Sequence, residues 1–505
     1  MKRCKSIMVQ GTASNVGKSI VTAALCRIFA QEGVRVAPFK AQNMALNSYV
    51  TKEGLEIGRA QAVQAEAAGI EPVAAMNPIL LKPTTDSGSQ VIFMGRPVGN
   101  FTARGYYDLK EKAVALVREA YETLAAGFDL IVIEGAGSPA EINLMDRDIV
   151  NMRTAEMADA PVLLVADIDR GGVFASLLGT LMLLPRPWRD RVSGLLINKF
   201  RGDPSLLAPG LRQIEGRAGK RVLGVLPWCA DLGIEEEDSV ALEGKAVAGN
   251  GPGLTIGVVR LPRISNYTDF DPLGGIDGVE VIYLEDPGVV DTCDAVILPG
   301  SKDTLGDLDF LGKSGLAASI RDFARRGGTV AGICGGFQML GECVEDPGGV
   351  ESRRVKAEGL ALLPFRTVLV PEKITARVRA VMAGGTEELE GYEIHMGRSV
   401  ATGRCRSLFR IIERNGRPVN DEEGWINGSG NLWGSYLHGI FENASFTRWF
   451  LSGLKKNNDV AAGGQDYGSR KEAAFDRLAG LFREHVDLEA IRNMAGLARE
   501  KRCRL

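Results

Sequence analysis

The sequence predicts an α/β protein with two parallel-sheet domains, and two observations support this fold class. First, short apolar runs recur along the chain, each followed by a glycine-rich turn and then by a helical pattern. Such runs are typical of strands that are buried on both faces of a parallel sheet. Second, a glycine-rich stretch separates one set of runs (SIMVQG, LIVIEGAG, PVLLVADID, GLLINKF) from another (LTIGVVRL, AVILPGSKD, GTVAGICGG). We therefore expect two sheets.

The separating stretch is ALEGKAVAGNGPG, residues 241–253, where four glycines and a proline interrupt both periodicities. We predict a first α/β domain over residues 1–240 and a linker over 241–253. A second α/β domain is expected over 254–450, followed by a helical extension over 451–505 whose role the sequence leaves open.

Composition and charge exclude several classes of protein. The net charge of -3 supplies no basic field for nucleic acid. No apolar run approaches the ~20 residues of a membrane span, and Gln10 and Gly11 cut the first run too early for a signal peptide. The eight cysteines are scattered, without a Cys-x-x-Cys pair, which indicates free thiols and no zinc site. These features predict a cytoplasmic protein; they leave its oligomeric state open.

The segment GTASNVGKS, residues 11–19, predicts a nucleotide phosphate site. It lies between an apolar strand and a helix, where backbone N–H groups and the helix N-terminus can surround phosphates. Thr12 and Gly17 belong to the loop, Lys18 is expected to reach the β and γ oxygens, and Ser19 is expected to bind magnesium. Thr12 stands where the usual motif has its first glycine, a departure that resembles dethiobiotin synthetases. We expect ATP and Mg²⁺ here.

Three residues at predicted strand ends extend this site. Glu134 ends the strand of LIVIEGAG, at the edge where α/β proteins bind ligands. Its match to the E-G-A-G stretch of dethiobiotin synthetases makes it a second metal candidate, and a solvated strand end is the alternative. Lys40 is either a second cation facing phosphate or substrate, or a surface lysine. Asn198 resembles the base-reading asparagine of this ATPase group, although asparagine also forms turns.

The loop AEINLMDRDIVNM, residues 140–152, carries the acids Asp146 and Asp148. Paired carboxylates beside a phosphate site can hold metal or position the acceptor substrate. The alternative is a solvated helix N-terminus, where acids are favoured in the first turn. Three basic residues, Arg59, Lys82 and Arg104, are candidates for binding the carboxylates of the substrate. A surface charge is an equally good interpretation of each.

The second half contains a candidate nucleophile, Cys334, in the segment GTVAGICGGFQMLGE. Flanking glycines permit the sharp strand-to-helix turn that exposes a nucleophile, and a helix N-terminus below the thiol favours the thiolate. The backbone at Gly335, together with the turn at Gly300 and Ser301, is expected to form an oxyanion hole. An inert buried cysteine is the alternative.

His438, in GSYLHGIFEN, is the candidate base for this cysteine. A cysteine depends less on an orienting acid than a serine does, because its thiol is partly ionised near neutral pH. We expect a Cys-His dyad in which a backbone carbonyl or another polar group holds the ring. Glu442, four residues after His438, is a candidate for an acid that orients the ring.

The cysteine segment resembles class I glutamine amidotransferases, in which the histidine is normally followed two residues later by glutamate. Ile440 occupies that position here, as in the subgroup that amidates cobyrinic acid. The resemblance extends to the cobyric acid synthase family through seven stretches: GTASNVGKS, FKAQNMALNS, IVIEGAGSPAEINLMDRDIVNM, PRISNYTDFDPL, PGSKDT, GICGGFQMLG and SYLHGIFEN.

This resemblance implies an ATP- and glutamine-dependent ligase. The expected substrate is adenosylcobyrinic acid a,c-diamide, whose four peripheral carboxylates (b, d, e and g) would be converted to amides. Each carboxylate would become a carboxyl phosphate, which ammonia from glutamine hydrolysis would displace. Two alternatives stay open: a cobyrinic acid a,c-diamide synthase, and a partition-type ATPase joined to a non-catalytic amidotransferase-like domain.

Overall fold

The structure is a computed structural model that describes residues 4–84, 88–229, 232–235, 253–352, 354–454 and 466–497. Residues 241–252 of the predicted linker lie outside the described residues, and so does Cys503. The seven described cysteines are all free thiols. Among the helices of these ranges, none combines the length and the apolar character that crossing a membrane requires.

The first half of the chain forms a parallel sheet with smaller sheets beside it. Its strands are β1 Lys5–Gly11, β2 Val36–Phe39, β3 Gln42–Met44, β4 Ser48–Val50, β5 Glu56–Gly58, β6 Ile79–Pro83, β7 Gly88–Phe93, β8 Arg96–Thr102, β9 Leu130–Glu134, β10 Val162–Asp167, β11 Val192–Phe200 and β12 Val222–Pro227. Six of them pair in the order β12-β11-β10-β1-β9-β2, every pair parallel. Their carboxyl ends meet at one edge, where α/β proteins place their ligands.

Helices cover both faces of this sheet, which explains why its strands are continuously apolar. The helices of the first half are α1 Lys18–Gln31, α2 Arg59–Ala67, α3 Ala103–Tyr107, α4 Lys110–Gly127, α5 Met152–Met157, α6 Val173–Leu183, α7 Arg186–Arg191 and α8 Ala208–Ala218. On one face Val117 of α4 and Leu177 of α6 belong to one buried cluster. On the other face Leu25 and Phe29 of α1 belong to a second cluster.

Between β2 and α4 the chain leaves the simple strand-helix alternation. Strands β3, β6, β7 and β8 form a separate four-stranded sheet, and β4 and β5 form an antiparallel pair. This insertion contains Glu56 and Lys82, which face the second domain.

The second half contains a larger, twelve-stranded sheet and a two-stranded sheet formed by β14 and β17. The strands of this half are β13 Leu254–Val259, β14 Ile264–Ser265, β15 Val279–Leu284, β16 Ala295–Leu298, β17 Gly300–Ser301, β18 Thr329–Ile333, β19 Cys343–Glu345, β20 Lys356–Glu358, β21 Phe365–Met382, β22 Glu388–Ala401, β23 Arg406–Arg414, β24 Arg417–Ile426, β25 Leu432–Ser435 and β26 Leu437–His438. Five strands, in the order β15-β13-β16-β18-β25, are parallel. The parallel sheets predicted in both halves are therefore confirmed.

Residues 365–426 depart from the strand-helix alternation of the rest of the second domain. Strands β21, β22, β23 and β24 are long and pair in antiparallel fashion. Buried and more exposed residues alternate along β21, as expected of a strand with one face toward the core and one toward water. A search for continuous apolar runs does not detect this pattern.

The remaining helices are α9 Asp271–Gly274, α10 Thr304–Ser314, α11 Leu316–Arg325, α12 Gly335–Leu340, α13 Ala444–Ser452, α14 Tyr467–His485 and α15 Leu488–Met494. Helices α14 and α15 return to the first domain. Leu478 and Phe482 of α14 are buried in the cluster that contains α1, and Arg27 of α1 pairs with Glu472 at 2.8 Å. The C-terminal helices thus help to cover one face of the first sheet.

Candidate active site

The loop between β1 and α1 is held tightly around Lys18. Gly17 has φ +100°, and a Cβ there would lie 2.1 Å from Nδ2 of Asn198, so this position requires glycine. Lys18 is buried, and its Nζ donates to the carbonyls of Ala13 at 2.9 Å and Gly137 at 3.2 Å. The ammonium is therefore positioned beside a loop of the kind that binds phosphates.

Glu134 is the centre of a buried polar cluster. Its Oε1 accepts hydrogen bonds from Ser19 Oγ and from Lys40 Nζ, both at 2.9 Å, and its Oε2 accepts from Gln64 Nε2 at 2.5 Å. Lys40 is 4% exposed and Glu134 is 1% exposed. The readings of Lys40 as a surface lysine and of Glu134 as a solvated strand end were both wrong.

The oxygens of Ser19 and Glu134 fit a magnesium ion. Mg²⁺ prefers octahedral oxygen ligands at about 2.0–2.1 Å, which places adjacent ligand oxygens about 2.9 Å apart. Ser19 Oγ and Glu134 Oε1 are 2.9 Å apart. Ser19 and Glu134 are therefore the residues that would hold a magnesium ion, and this role stays a prediction.

Thr12 and Asn198 both support the loop. The backbone N–H of Thr12 donates to the Val165 carbonyl at 2.9 Å, which ties the loop to β10. The side chain of Asn198 donates from Nδ2 to the Val16 carbonyl at 2.9 Å and accepts from the Lys199 N–H at 2.8 Å. The Asn198 amide therefore helps to fix the loop. These two bonds use one of its two N–H groups and one of its two oxygen lone pairs, and Asn198 also lines the cleft of the phosphate loop, so base reading stays a prediction.

The acids of the 140–152 loop differ from each other. The Asp148 carboxylate accepts from the backbone N–H groups of Val150 at 2.9 Å and Asn151 at 3.0 Å, and burial raises the pKa of this carboxyl. Asp148 therefore caps the turn before α5. Asp146 is exposed, and its backbone carbonyl accepts from Lys110 and Arg153. Asp148 also lines the cleft at the phosphate loop, and a role of the two acids in positioning substrate or metal stays a prediction.

A cleft of about 2020 Å³ opens at the phosphate loop and extends to the second domain and α14. Its walls include Lys18 and Glu134 from the first domain, Tyr267 and Phe270 from the second, and Lys471 from α14. A cleft of this size admits a substrate much larger than a nucleotide.

In the second domain, Cys334 occupies a strained turn between β18 and α12. Its backbone has φ +52° and ψ -108°, a region that non-glycine residues rarely adopt. A Cβ on Gly336 would lie 1.9 Å from the Leu298 carbonyl, and one on Gly335 would lie 2.8 Å from the Ser301 nitrogen. The sequence around this turn therefore matches the strained strand-to-helix geometry expected of a nucleophile.

His438 is held by an acid from a distant part of the sequence, Asp269. Asp269 Oδ2 lies 2.6 Å from Nδ1 of His438, and Asp269 Oδ1 accepts from the Gly439 N–H at 3.0 Å. The Tyr392 ring stacks on the imidazole at 5.2 Å between centroids. Burial opposes the charged ring, but Asp269 and then Cys334 outweigh it and raise the pKa of His438 to about 10.

Glu442 does not substitute for this acid. Its carboxylate instead pairs with Arg59 at 3.3 Å. Arg59 is itself buried against Glu235, and Lys82 is buried 3.0 Å from Glu56. The readings of Arg59 and Lys82 as surface charges were therefore wrong, whereas Arg104 is exposed.

The turn at Gly300 and Ser301 lies directly beside the dyad, because a Cβ on Gly300 would be 3.3 Å from Cε1 of His438. The Ser301 hydroxyl donates to Asp307 at 2.6 Å. Burial raises the pKa of the Asp307 carboxyl to about 7, although the bond from Ser301 opposes the shift. The Ser301 hydroxyl is thus engaged by the protein, and the backbone of this turn remains the candidate for the oxyanion hole.

A small cavity of about 30 Å³ joins these groups. Its lining includes Cys334, His438, Ser301, Gly335 and, from the first domain, Lys82. The two domains therefore meet at the candidate nucleophile.

Sequence reasoning missed several residues of these clusters, namely Gln64, Asp269, Lys302, Lys373 and His395. Asp269 lies within the quoted stretch PRISNYTDFDPL, so the signal was present only as a family resemblance. No spacing rule connects it with His438, since 169 positions separate the two residues.

Two family models match consecutive parts of the chain. Residues 7–240 match the CobQ/CobB/MinD/ParA nucleotide binding domain. Residues 255–446 match the CobB/CobQ-like glutamine amidotransferase domain. Both matches agree with the predicted fold class, and the first supports nucleotide binding by the first domain.

Curated relatives match over almost the entire chain. The cobyric acid synthase of Syntrophobacter fumaroxidans is 51% identical, with 98% of this chain and 99% of that protein covered. The cobyric acid synthase of Moorella thermoacetica is 50% identical, with 98% of each chain covered, and that of Yersinia enterocolitica is 50% identical, with 96% and 97% covered. These matches confirm the predicted resemblance. The chain therefore belongs to the cobyric acid synthase family, whose members are glutamine amidotransferase ligases.

Proposed function

We propose that this protein is an ATP- and glutamine-dependent ligase that amidates the four remaining peripheral carboxylates of adenosylcobyrinic acid a,c-diamide. The observation that carries the proposal is the shared cavity of Cys334 and His438, whose wall includes Lys82 of the nucleotide-binding domain. The glutaminase centre thus lies in contact with the domain that would use its ammonia.

In the glutaminase step, the Cys334 thiolate attacks the side-chain amide carbon of glutamine. Backbone N–H groups near Ser301 and Gly335 stabilise the oxyanion. The amide C–N bond then breaks, and the departing nitrogen takes the proton of His438 and leaves as ammonia. Water then attacks the thioester, His438 accepts a proton from this water, and the C–S bond breaks to release glutamate and regenerate the thiolate. Asp269 stabilises the ring whenever it is protonated.

In the synthetase step, a substrate carboxylate attacks the γ-phosphate of ATP to form a carboxyl phosphate and ADP. Lys18 and the backbone of the loop hold the phosphates for this transfer. A magnesium ion held by Ser19 and Glu134 would offset the charge on the phosphate oxygens. Ammonia then attacks the acyl carbon and phosphate leaves, so that each cycle forms one amide.

A four-residue turn, Tyr267–Phe270, supports a route for ammonia between the two steps. Asp269 of this turn contacts His438, while Tyr267 and Phe270 line the cleft of the phosphate loop. The turn therefore lies between His438 and the cleft, which places the glutaminase centre behind one wall of that cleft. A short protected path suits ammonia, which water would protonate.

One assay tests the proposal. The protein is incubated with ATP, magnesium, glutamine and each corrinoid acid in turn, and the amides gained are counted by mass spectrometry. We expect four amides on adenosylcobyrinic acid a,c-diamide. Amidation of cobyrinic acid at its a and c positions would instead identify the a,c-diamide synthase. ATP binding without amidation of any corrinoid would refute the ligase and favour the partition-type ATPase.

A further inference from the structure

Lys302 carries a buried ammonium that faces the candidate nucleophile. The residue follows Ser301 in the chain, is 6% exposed and lines the cavity of Cys334. Within the described part of the chain, its Nζ forms no hydrogen bond and no ion pair. A charge that is removed from water without a partner is costly. An anionic ligand group would offset that cost.

His395 presents an unpaired acceptor to the same cavity. Its Nδ1 lies 3.0 Å from the Gly397 carbonyl. Since a carbonyl only accepts, Nδ1 carries the proton and Nε2 carries a lone pair. This Nε2 is buried and, among the described residues, has no hydrogen-bond partner. Burial lowers the pKa of His395 to about 3, so the ring stays neutral and Nε2 stays an acceptor.

These two groups complement the backbone end of free glutamine. We propose that Lys302 binds the α-carboxylate of the glutamine substrate and that His395 Nε2 accepts a hydrogen bond from its α-ammonium. The proposal rests on the proposed glutaminase function of Cys334. It adds two residues that select a free amino acid over other primary amides.

Neighbouring charges favour this assignment over an internal pairing. The Glu351 carboxylate also lines the cavity and favours the charged form of Lys302, but among the described residues the two form no hydrogen bond or ion pair, and Glu351 Oε2 accepts from Thr304 Oγ1 at 3.4 Å. Lys82 and Lys373, also in the wall, are both bonded to Glu56. Of these three lysines, only Lys302 has its ammonium left for a ligand.

The cavity must widen before glutamine binds. Its volume of about 30 Å³ is close to the share of one water molecule in the liquid. Lys82 contributes to its wall from the first domain and Lys373 from the second, so a small separation of the domains at this point would admit glutamine.

The test compares three substrates that differ only in the groups proposed to be recognised. L-Glutamine has both groups, 4-aminobutanamide lacks the α-carboxylate, and glutaramate (4-carbamoylbutanoate) lacks the α-ammonium. Ammonia release gives kcat/KM for each substrate with the wild-type protein, Lys302→Met, Lys302→Arg and His395→Phe. Amidation driven by added ammonia is measured in parallel.

We expect Lys302→Met to lower kcat/KM for L-glutamine and glutaramate about 10- to 100-fold, because a charge-assisted contact is lost. The value for 4-aminobutanamide should stay within about twofold of the wild type, and Lys302→Arg should recover part of the loss. His395→Phe, which keeps an aromatic ring against Tyr436, should lower the value about tenfold for L-glutamine but not for glutaramate. The exposed Lys313→Met is the matched control and should behave as the wild type.

Equal losses on all three substrates would overturn the assignment of Lys302 or His395. The same conclusion would follow if the wild-type protein hydrolysed the two analogues as well as L-glutamine, a comparison that requires no folded variant. A wild-type protein that releases no ammonia from L-glutamine but still uses added ammonia would instead refute the proposed glutaminase function. The two failures are therefore distinguishable.

Discussion

The Asp269 carboxylate lies 2.6 Å from Nδ1 of His438, although 169 positions separate the two residues in the sequence. It holds the imidazole as the glutamate of an H-x-E motif would, but from the turn that follows β14 rather than from the strand of the histidine. The Cys-His dyad predicted from the sequence is thus accompanied by an acid, and the cluster has the composition of a triad.

Replacing this acid tests its role. Asp269→Asn should lower glutamine hydrolysis about 10- to 1,000-fold, less than the ~10⁴ seen when a serine triad loses this charge, because a thiol ionises more readily. Glutamate release and ammonia-driven amidation are measured side by side, and only the first should fall. The control is Glu442→Gln, which removes the carboxylate that pairs with Arg59 and should retain glutamine hydrolysis. Equal losses in both variants would contradict the assignment.

The raised pKa of His438 predicts how the protein responds to pH. Its folded value of about 10 lies above the ordinary value of about 6.5 expected for the unfolded chain. The stabilisation from the charged ring is therefore complete below about pH 6.5, declines as pH rises, and is lost at about pH 10. Urea unfolding from pH 6 to 10.5 should show the stability difference between wild type and Asp269→Asn shrinking over this range. A constant difference would refute the charged ring.

Cys334→Ser separates the two proposed centres. A serine hydroxyl at this position is far less ionised than a thiol, so glutamine use should be lost. Amidation with added ammonia should continue, because the phosphate loop and Glu134 belong to a different cluster. Loss of amidation with ammonia, in a variant that still binds ATP, would show that the two-centre division is wrong.

Lys18 is expected to control nucleotide affinity. Lys18→Met removes the ammonium beside the loop and should weaken ATP binding about 10- to 100-fold while glutamine hydrolysis continues. Lys52→Met alters an exposed lysine that pairs with Glu71 and serves as the control. Calorimetric titrations with and without magnesium should also show that Glu134→Gln reduces the gain in ATP affinity that magnesium provides. Unchanged ATP affinity in Lys18→Met would exclude the loop as the phosphate site.

The packing of α14 depends on a buried carboxylate. Glu235 accepts hydrogen bonds from Arg59 at 2.7 Å, Lys471 at 2.9 Å and Tyr467 at 3.0 Å. Glu235→Ala would leave two buried cations without this partner and should reduce the free energy of unfolding by about 3–5 kcal/mol. Arg221→Ala breaks an exposed pair with Asp487 and should cost at most about 1 kcal/mol. Equal denaturation midpoints for the two variants would contradict this account.

Features that depend on local order along the chain could be predicted from residue types alone. The phosphate loop at Lys18 and the turn at Cys334 each lie between an apolar strand and a helix, within one short segment. The parallel strands were predicted from the same local pattern of strand, glycine-rich turn and helix. Steric and hydrogen-bonding rules act over such distances, so the pattern of residue types was sufficient. The family resemblance followed from the same segments.

Which distant residues meet depends on tertiary packing. Asp269 holds His438, Glu134 holds Lys40, and Glu235 joins the first domain to α14. Lys302 faces the cysteine, and its ammonium has no hydrogen bond or ion pair to any residue that the structure describes. A charged residue in the sequence gives no indication of whether it will be exposed or paired, because its burial depends on elements that pack against it from elsewhere in the chain. Folding removes these groups from water, where a charge is costly unless a partner offsets it. Burial therefore explains why most of these groups are paired and why Lys302 is a candidate for binding an anionic ligand group.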